Sequence, residues 1–211
     1  MAYDLEEQEQ LSALKAWWQQ YGKLVIIIVV GAAVAIAAVR GWHYYKNRQA
    51  SSAAALFDQL LRAESGNDHK KVRDIAAQMI EHYGSTQYAT LGALSAARSD
   101  FETGDLPSAK KRLQWVIGKA REEEVRDVAR LRLARVLLDE NNPAEALQQL
   151  EAKHGDSFAG LYAELKGDAL IMNGKAAEAR AAYQLAFDRS DAASPSRQIL
   201  QLKLDALGEA P

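Results

Sequence analysis

The side chains best suited to chemistry in this 211-residue chain are its four histidines, His43, His69, His82 and His154, and its 28 acids. A catalytic metal needs histidines or carboxylates at helical spacing, and nucleophilic catalysis needs a base beside the nucleophile. The chain has no HExxH, no GxSxG elbow and no glycine-rich phosphate loop. His69, His82 and His154 fall singly in or near expected turns, as solvated histidines do. With 0 Cys there is no thiolate chemistry, no disulfide framework and no cysteine metal site. The run Lys119–Arg126 (KAREEEVR) mixes both signs and reads as a solvated face. A hydrolase would have to rest on Glu164 or Asp168 with no partner in view. The reading is therefore of a non-enzyme with no catalytic residue, cofactor, metal or small-molecule substrate.

Recognition chemistry remains. Counted from a repeated alanine, Leu94, Arg98 and Phe101 occupy the same places as Leu131, Arg135 and Leu138, and then Glu164, Asp168 and Ile171. An apolar stripe with Arg98 and Arg135 beside it suits an extended or helical peptide. The same pattern also suits packing against neighbouring helices with the arginines paired to local acids, and both readings stand at this point.

Helices must present these residues. Ala and Leu abound after residue 50, no stretch alternates at strand period, and the 4 Pro are scattered singly, so the chain reads as all-α. Turns are marked by Ser65-Gly66-Asn67-Asp68, Gly104-Asp105-Leu106-Pro107, Asn141-Asn142-Pro143 and Asn173-Gly174-Lys175. Ala76, Ala109, Ala146 and Ala179 lie 33, 37 and 33 residues apart, each followed four residues on by Ile80, Leu113, Leu150 or Tyr183. Ala97, Ala134 and Gly167 precede the last three by twelve residues. Helix–turn–helix units with a period near ~34 and small residues at the crossings are the pattern of tetratricopeptide repeats. Residues 195–207, with Ile199, Leu200, Leu202, Leu204 and Leu207, read as a terminal helix capping the solenoid.

Ahead of the repeats, Leu24–Val39 (LVIIIVVGAAVAIAAV) holds no charged or polar side chain. It covers roughly 24 Å as a helix, and snorkelling Lys23 and Arg40 extend its reach. Trp17, Trp18 and Tyr21 precede it and Trp42, Tyr44 and Tyr45 follow, an aromatic belt at both interfaces. The expected organisation is a tail or interfacial helix over 1–22, a transmembrane helix over 23–41, a juxtamembrane linker over 42–49 and a repeat domain over 50–211. The part beyond the anchor is nearly neutral, which argues against nucleic acid as a partner.

Glu7–Lys23 (EQEQLSALKAWWQQYGK), Gly41–Asn47 (GWHYYKN), Leu131–Val136 (LRLARV), Leu165–Tyr183 (LKGDALIMNGKAAEARAAY) and Leu200–Leu207 (LQLKLDAL) together resemble the YfgM family of Gram-negative bacteria. The resemblance spans nearly the whole chain and rests on the order of these stretches. It implies a single-pass inner-membrane protein, cytoplasmic at its N-terminus, with a periplasmic tetratricopeptide-like domain. It further implies an ancillary subunit of the SecYEG translocon that pairs with the periplasmic chaperone PpiD and assists exported client proteins. Asp4–Glu9 is the only stretch that could serve a regulatory tail. Cations close to the anchor favour the opposite orientation by one residue: Lys15 and Lys23 against Arg40, Lys46 and Arg48. The rival function is a repeat scaffold for envelope assembly or cell division, unconnected to secretion.

Overall fold

The computed structural model describes residues 2–191 and 193–208, with side chains from residue 10 onward. The acidic side chains of Asp4–Glu9 therefore lie outside the described residues. By its contacts the chain divides into two units, residues 1–49 and 50–211. Among the described residues all regular structure is helical.

The first unit is the greater part of α1 (Ala2–Ser65), a single helix of 64 residues. No proline interrupts it, and its Ala, Leu, Glu, Gln and Lys content favours helix throughout. The helix is long and apolar enough to cross a bilayer, with a mean hydropathy of 2.6 in its most apolar window and only 6% of that window buried. Ile26, Val30, Val34 and Val39 are each more than half exposed, so the protein supplies no cover for them. Residues 42–49, expected as a linker, are helical as well. Pairs one turn apart support them: Lys46 sits 5.2 Å over the Trp42 ring, and Gln49 Nε2 donates to Tyr45 Oη at 2.8 Å. Trp17 stacks near Trp18 and Tyr21, with ring centroids 6.4 and 5.9 Å apart. Lys23, Arg40 and Tyr44 are exposed.

The second unit joins the end of α1 to α2 (His69–Tyr83), α3 (Gln87–Glu102), α4 (Leu106–Lys119), α5 (Glu123–Asp139), α6 (Pro143–Leu150), a 3-10 turn (Asp156–Phe158), α7 (Ala159–Met172), α8 (Ala176–Arg189) and α9 (Pro195–Ala206). Four turns share one geometry. Asn67, Gly104, Asn141 and Gly174 take positive φ of 52, 80, 57 and 72°. The residue after each donates its N–H five residues back, to Ala63, Asp100, Leu137 and Leu170, at 2.8–2.9 Å. The left-handed residue itself donates to Glu64, Phe101, Leu138 or Ile171. This double closure satisfies the orphan carbonyls of the first helix. Asp68, Asp105 and Asn142 then cap the next helix through the side chain, accepting from Lys71, Ser108 and Glu145. The turn after α1 matches the other three in backbone geometry.

The repeated small residues sit where helices cross. Ala76, Ala109, Ala146 and Ala179 are 0% exposed, and Ala97, Ala134 and Gly167 are buried beside them. Leu60, Met79 and Gly92 meet in the first part of the core, where a Cβ on Gly92 would stand 3.0 Å from Met79 Sδ. Leu113, Val116, Leu133 and Leu137 fill the middle, and Leu170, Tyr183, Ala186 and Leu200 fill the last part.

Two buried acids tie these layers. Asp100 is fully buried between α2, α3 and α4, in reach of Arg73 and Arg112. Asp127 is 1% exposed and accepts from the N–H of Gly155 at 3.0 Å, from Arg130 at 3.2 Å and from Tyr162 Oη at 3.3 Å. It thereby holds the loop after α6 onto α5. Burial, and then the charge of Asp127, push the Tyr162 hydroxyl up to about 12, so it stays a donor.

The terminal helix α9 does cover the last pair, though with a narrower face than its composition suggests. Leu200 and Leu204 are buried, while Ile199 and Leu202 remain 52% and 68% exposed, because they fall on a different helical stripe. Polar groups complete the attachment. Lys203 donates to Asp168 at 2.7 Å and to Glu164 at 3.0 Å. Arg197 donates to the Phe187 carbonyl at 2.9 Å and lies 3.7 Å over the Phe187 ring, closing the end of α8.

Candidate functional site

One side of α5 forms the wall shared by two clefts. Val128, Leu131, Arg132 and Arg135 recur at spacings of three, one and three, which places them on one helical face. The first cleft, of about 280 Å³, is lined by Ala97, Arg98 and Phe101 of α3, Leu113 of α4, and Arg132, Arg135 and Val136 of α5. The second, of about 270 Å³, joins Val128, Leu131, Arg132 and Arg135 to Phe158, Leu161, Glu164 and Leu165. Apolar walls and guanidinium rims alternate along this groove.

The structure thus brings together Arg98, Phe101, Leu131 and Arg135 of the expected binding residues. The others go elsewhere. Leu94 is 7% exposed inside the core, and only its carbonyl reaches the groove side, accepting from Arg132 Nη1 at 3.3 Å. Leu138 packs on the same core at the end of α5, one helical turn past the clefts. Asp168 accepts from Tyr183 Oη and from Lys203 Nζ, both at 2.7 Å, and so serves the attachment of α9. Ile171 is 39% exposed near the turn after α7 and lines neither cleft. Equivalent positions in the repeats therefore do not share one environment: Phe101 lines a cleft where Leu138 and Ile171 do not.

Arg132 is the residue that the sequence pattern missed. α5 carries Arg126, Arg130, Arg132 and Arg135, and its buried residues lie on more than one side, so hydrophobic periodicity does not single out a solvent face. Arg126 and Arg130 bond to their own turn, to the Ala120 carbonyl and to Asp127. Burial lowers the pKa of Arg132, and the charge of Arg98 lowers it further. Arg98 is shifted the other way by its hydrogen bond to Glu102 at 2.8 Å.

The residues considered for chemistry are placed structurally. Glu164 and Asp168 share Lys203, with no nucleophile poised against them among the described residues. His69 hydrogen-bonds Ser99 Oγ at 2.9 Å, and His154 stacks 4.1 Å from the Tyr162 ring. Both are thus packed, not freely solvated as their turn positions suggested. Among the described residues no three His, Asp or Glu side chains gather as a metal would require.

Comparison with known proteins follows the same outline. The family model described as "tetratricopeptide repeat-like domain" matches residues 15–209. A Neisseria gonorrhoeae protein named "Ancillary SecYEG translocon subunit" is 29% identical over 98% of this chain and 100% of its own length. Proteins of the same name from Haemophilus influenzae and Aggregatibacter actinomycetemcomitans are 26% and 29% identical over the same shares. No solved structure matches. The chain belongs to the tetratricopeptide repeat-like domain family, and it is similar from end to end to ancillary SecYEG translocon subunits, as its YfgM resemblance implied.

Proposed function

We propose that this chain is a non-enzymatic membrane protein that associates with the SecYEG translocon. The observation that carries this is the full-length similarity to proteins bearing that name, which takes in the apolar span of α1 as well as the repeats. In this reading α1 crosses the Gram-negative inner membrane once, with the N-terminus cytoplasmic and the repeat unit periplasmic. The repeat unit then binds a PpiD-like periplasmic chaperone and exported clients. Tethering beside the translocon raises the local concentration into the ~mM range, so individually weak contacts suffice. Trp17, Trp18, Tyr21 and Lys23 anchor one interface, and Arg40, Trp42, Tyr44 and Tyr45 the other.

Affinity capture of the tagged full-length protein in mild detergent tests this. SecY is expected to be enriched, together with a periplasmic chaperone. Enrichment of cell-division or envelope-assembly proteins, with no Sec subunit, would establish the scaffold alternative instead.

A further inference from the structure

The groove carries positive charge, and at Arg135 its own fold leaves that charge unused. Arg132 and Arg135 stand on the wall common to both clefts, with Arg98 across the first. Arg132 bonds to a backbone carbonyl, not to a carboxylate. Arg135 is exposed and has no hydrogen bond or ion pair among the described residues. The acids nearby are engaged or lie to one side: Glu102 is paired with Arg98, and Glu164 with Lys203. Glu64 acts on Arg98 and Arg132 through its charge alone. Arg98, Arg132 and Arg135 are all exposed on the walls of the first cleft, where a guanidinium can take an incoming carboxylate in charge-assisted, bidentate geometry.

The neighbouring walls are apolar. Phe101, Leu113 and Val136 line the first cleft, and Leu131, Leu161 and Leu165 the second. The clefts flank α5, roughly 8–10 Å apart at ordinary helix spacing. An extended chain with three residues per turn returns to the same face after about 9 Å.

We propose that this groove binds an extended peptide segment in which two bulky apolar side chains, three residues apart, enclose acidic residues. The apolar side chains occupy the two clefts, and the carboxylates meet Arg132 and Arg135. A nucleic acid fits less well, because the cations sit in a short apolar cleft on a nearly neutral chain rather than along a basic track. The inference rests on reading the repeat unit as an interaction module, and it names the chemistry of what that module takes.

The test uses purified full-length protein in detergent micelles and an acetylated, amidated, coumarin-labelled peptide of sequence GSLEDLSG. Its counterparts are GSLQNLSG, without carboxylates, and GSSEDSSG, without apolar side chains. Both are expected to bind about ten-fold more weakly than GSLEDLSG. Arg135→Gln and Arg132→Gln are each expected to weaken GSLEDLSG about ten-fold, and salt at about 0.5 M to weaken it further. Equal binding of GSLQNLSG would overturn the proposal. So would unchanged affinity in Arg135→Gln, whose fold is checked by circular dichroism and which breaks no hydrogen bond or ion pair among the described residues. Failure of GSLEDLSG to bind at roughly 1 mM, or binding of phosphatidylglycerol vesicles in its place, would overturn it too. Because no translocon is present, this result is independent of SecY capture, and either claim can fail alone.

Discussion

Asp100→Ala is expected to lower the melting temperature of the full-length protein by roughly 6–12 °C, the equivalent of about 3 kcal/mol. Asp100 is 0% exposed. Its Oδ2 accepts from Arg112 Nε of α4 at 2.7 Å, and its Oδ1 lies 3.8 Å from Arg73 Nε of α2. One carboxylate thus links three successive helices at the turn between α3 and α4. Alanine removes the buried carboxylate that contacts both guanidiniums and opens a cavity. The arginine side chains are 20% and 31% exposed and can partly rehydrate, which holds the cost near the lower end of the range for a broken buried pair. The double variant Asp100→Leu with Arg112→Met removes both charges and is expected to recover much of the loss. A thermal melt of Asp100→Ala within 1 °C of the parent would show that the carboxylate is not a structural tie.

Gly167→Ala is a sharper test of the repeat packing, because two effects oppose each other. Within α7, alanine should stabilise the helix by about 1 kcal/mol over glycine. Yet a Cβ on Gly167 would stand no more than 2.9 Å from Cδ1, Cε1 and Cζ of Tyr183. That ring is 4% exposed, and its hydroxyl donates to Asp168 at 2.7 Å, so it cannot swing aside freely. Overpacking of this kind costs up to about 3 kcal/mol or more, so steric conflict wins. The expected net loss is about 2 kcal/mol, or roughly 4–8 °C in melting temperature. In a Tyr183→Leu background the same change should become neutral or stabilising, and the double-mutant cycle measures the coupling. A stabilised single variant would mean that α7 and α8 do not cross this closely.

Both residues show where sequence reading succeeds and where it stops. Gly167 was legible, since it stands twelve residues before Ala179 at the place where the other units carry Ala97 and Ala134. The turns were legible as well, because only residues tolerant of positive φ can close them, and Asn67, Gly104, Asn141 and Gly174 all fit. The apolar span of α1 was legible as well, because Leu24–Val39 holds no charged or polar side chain and is flanked by aromatics and cations at both ends. Asp100 and Asp127 were not. An acid in an amphipathic helix normally faces water, and the arginine that pairs with Asp100 lies in the next helix. The groove was legible in part. Repeat register placed Arg98, Phe101, Leu131 and Arg135 on one face, and they line the two clefts. It assumed that equivalent positions keep equivalent surroundings, which fails where α9 packs on α7 and engages Asp168. Arg132 needed the crossing of α3 and α5, which no local pattern encodes.

The most direct test of translocon association is photo-crosslinking in living cells from benzoylphenylalanine placed at Leu161. This residue is 52% exposed on the rim of the second cleft. Adducts with SecY, with a membrane-anchored periplasmic chaperone or with newly exported chains are the predicted result. Adducts confined to cytoplasmic proteins, or to envelope proteins with no Sec subunit or exported chain among them, would contradict it.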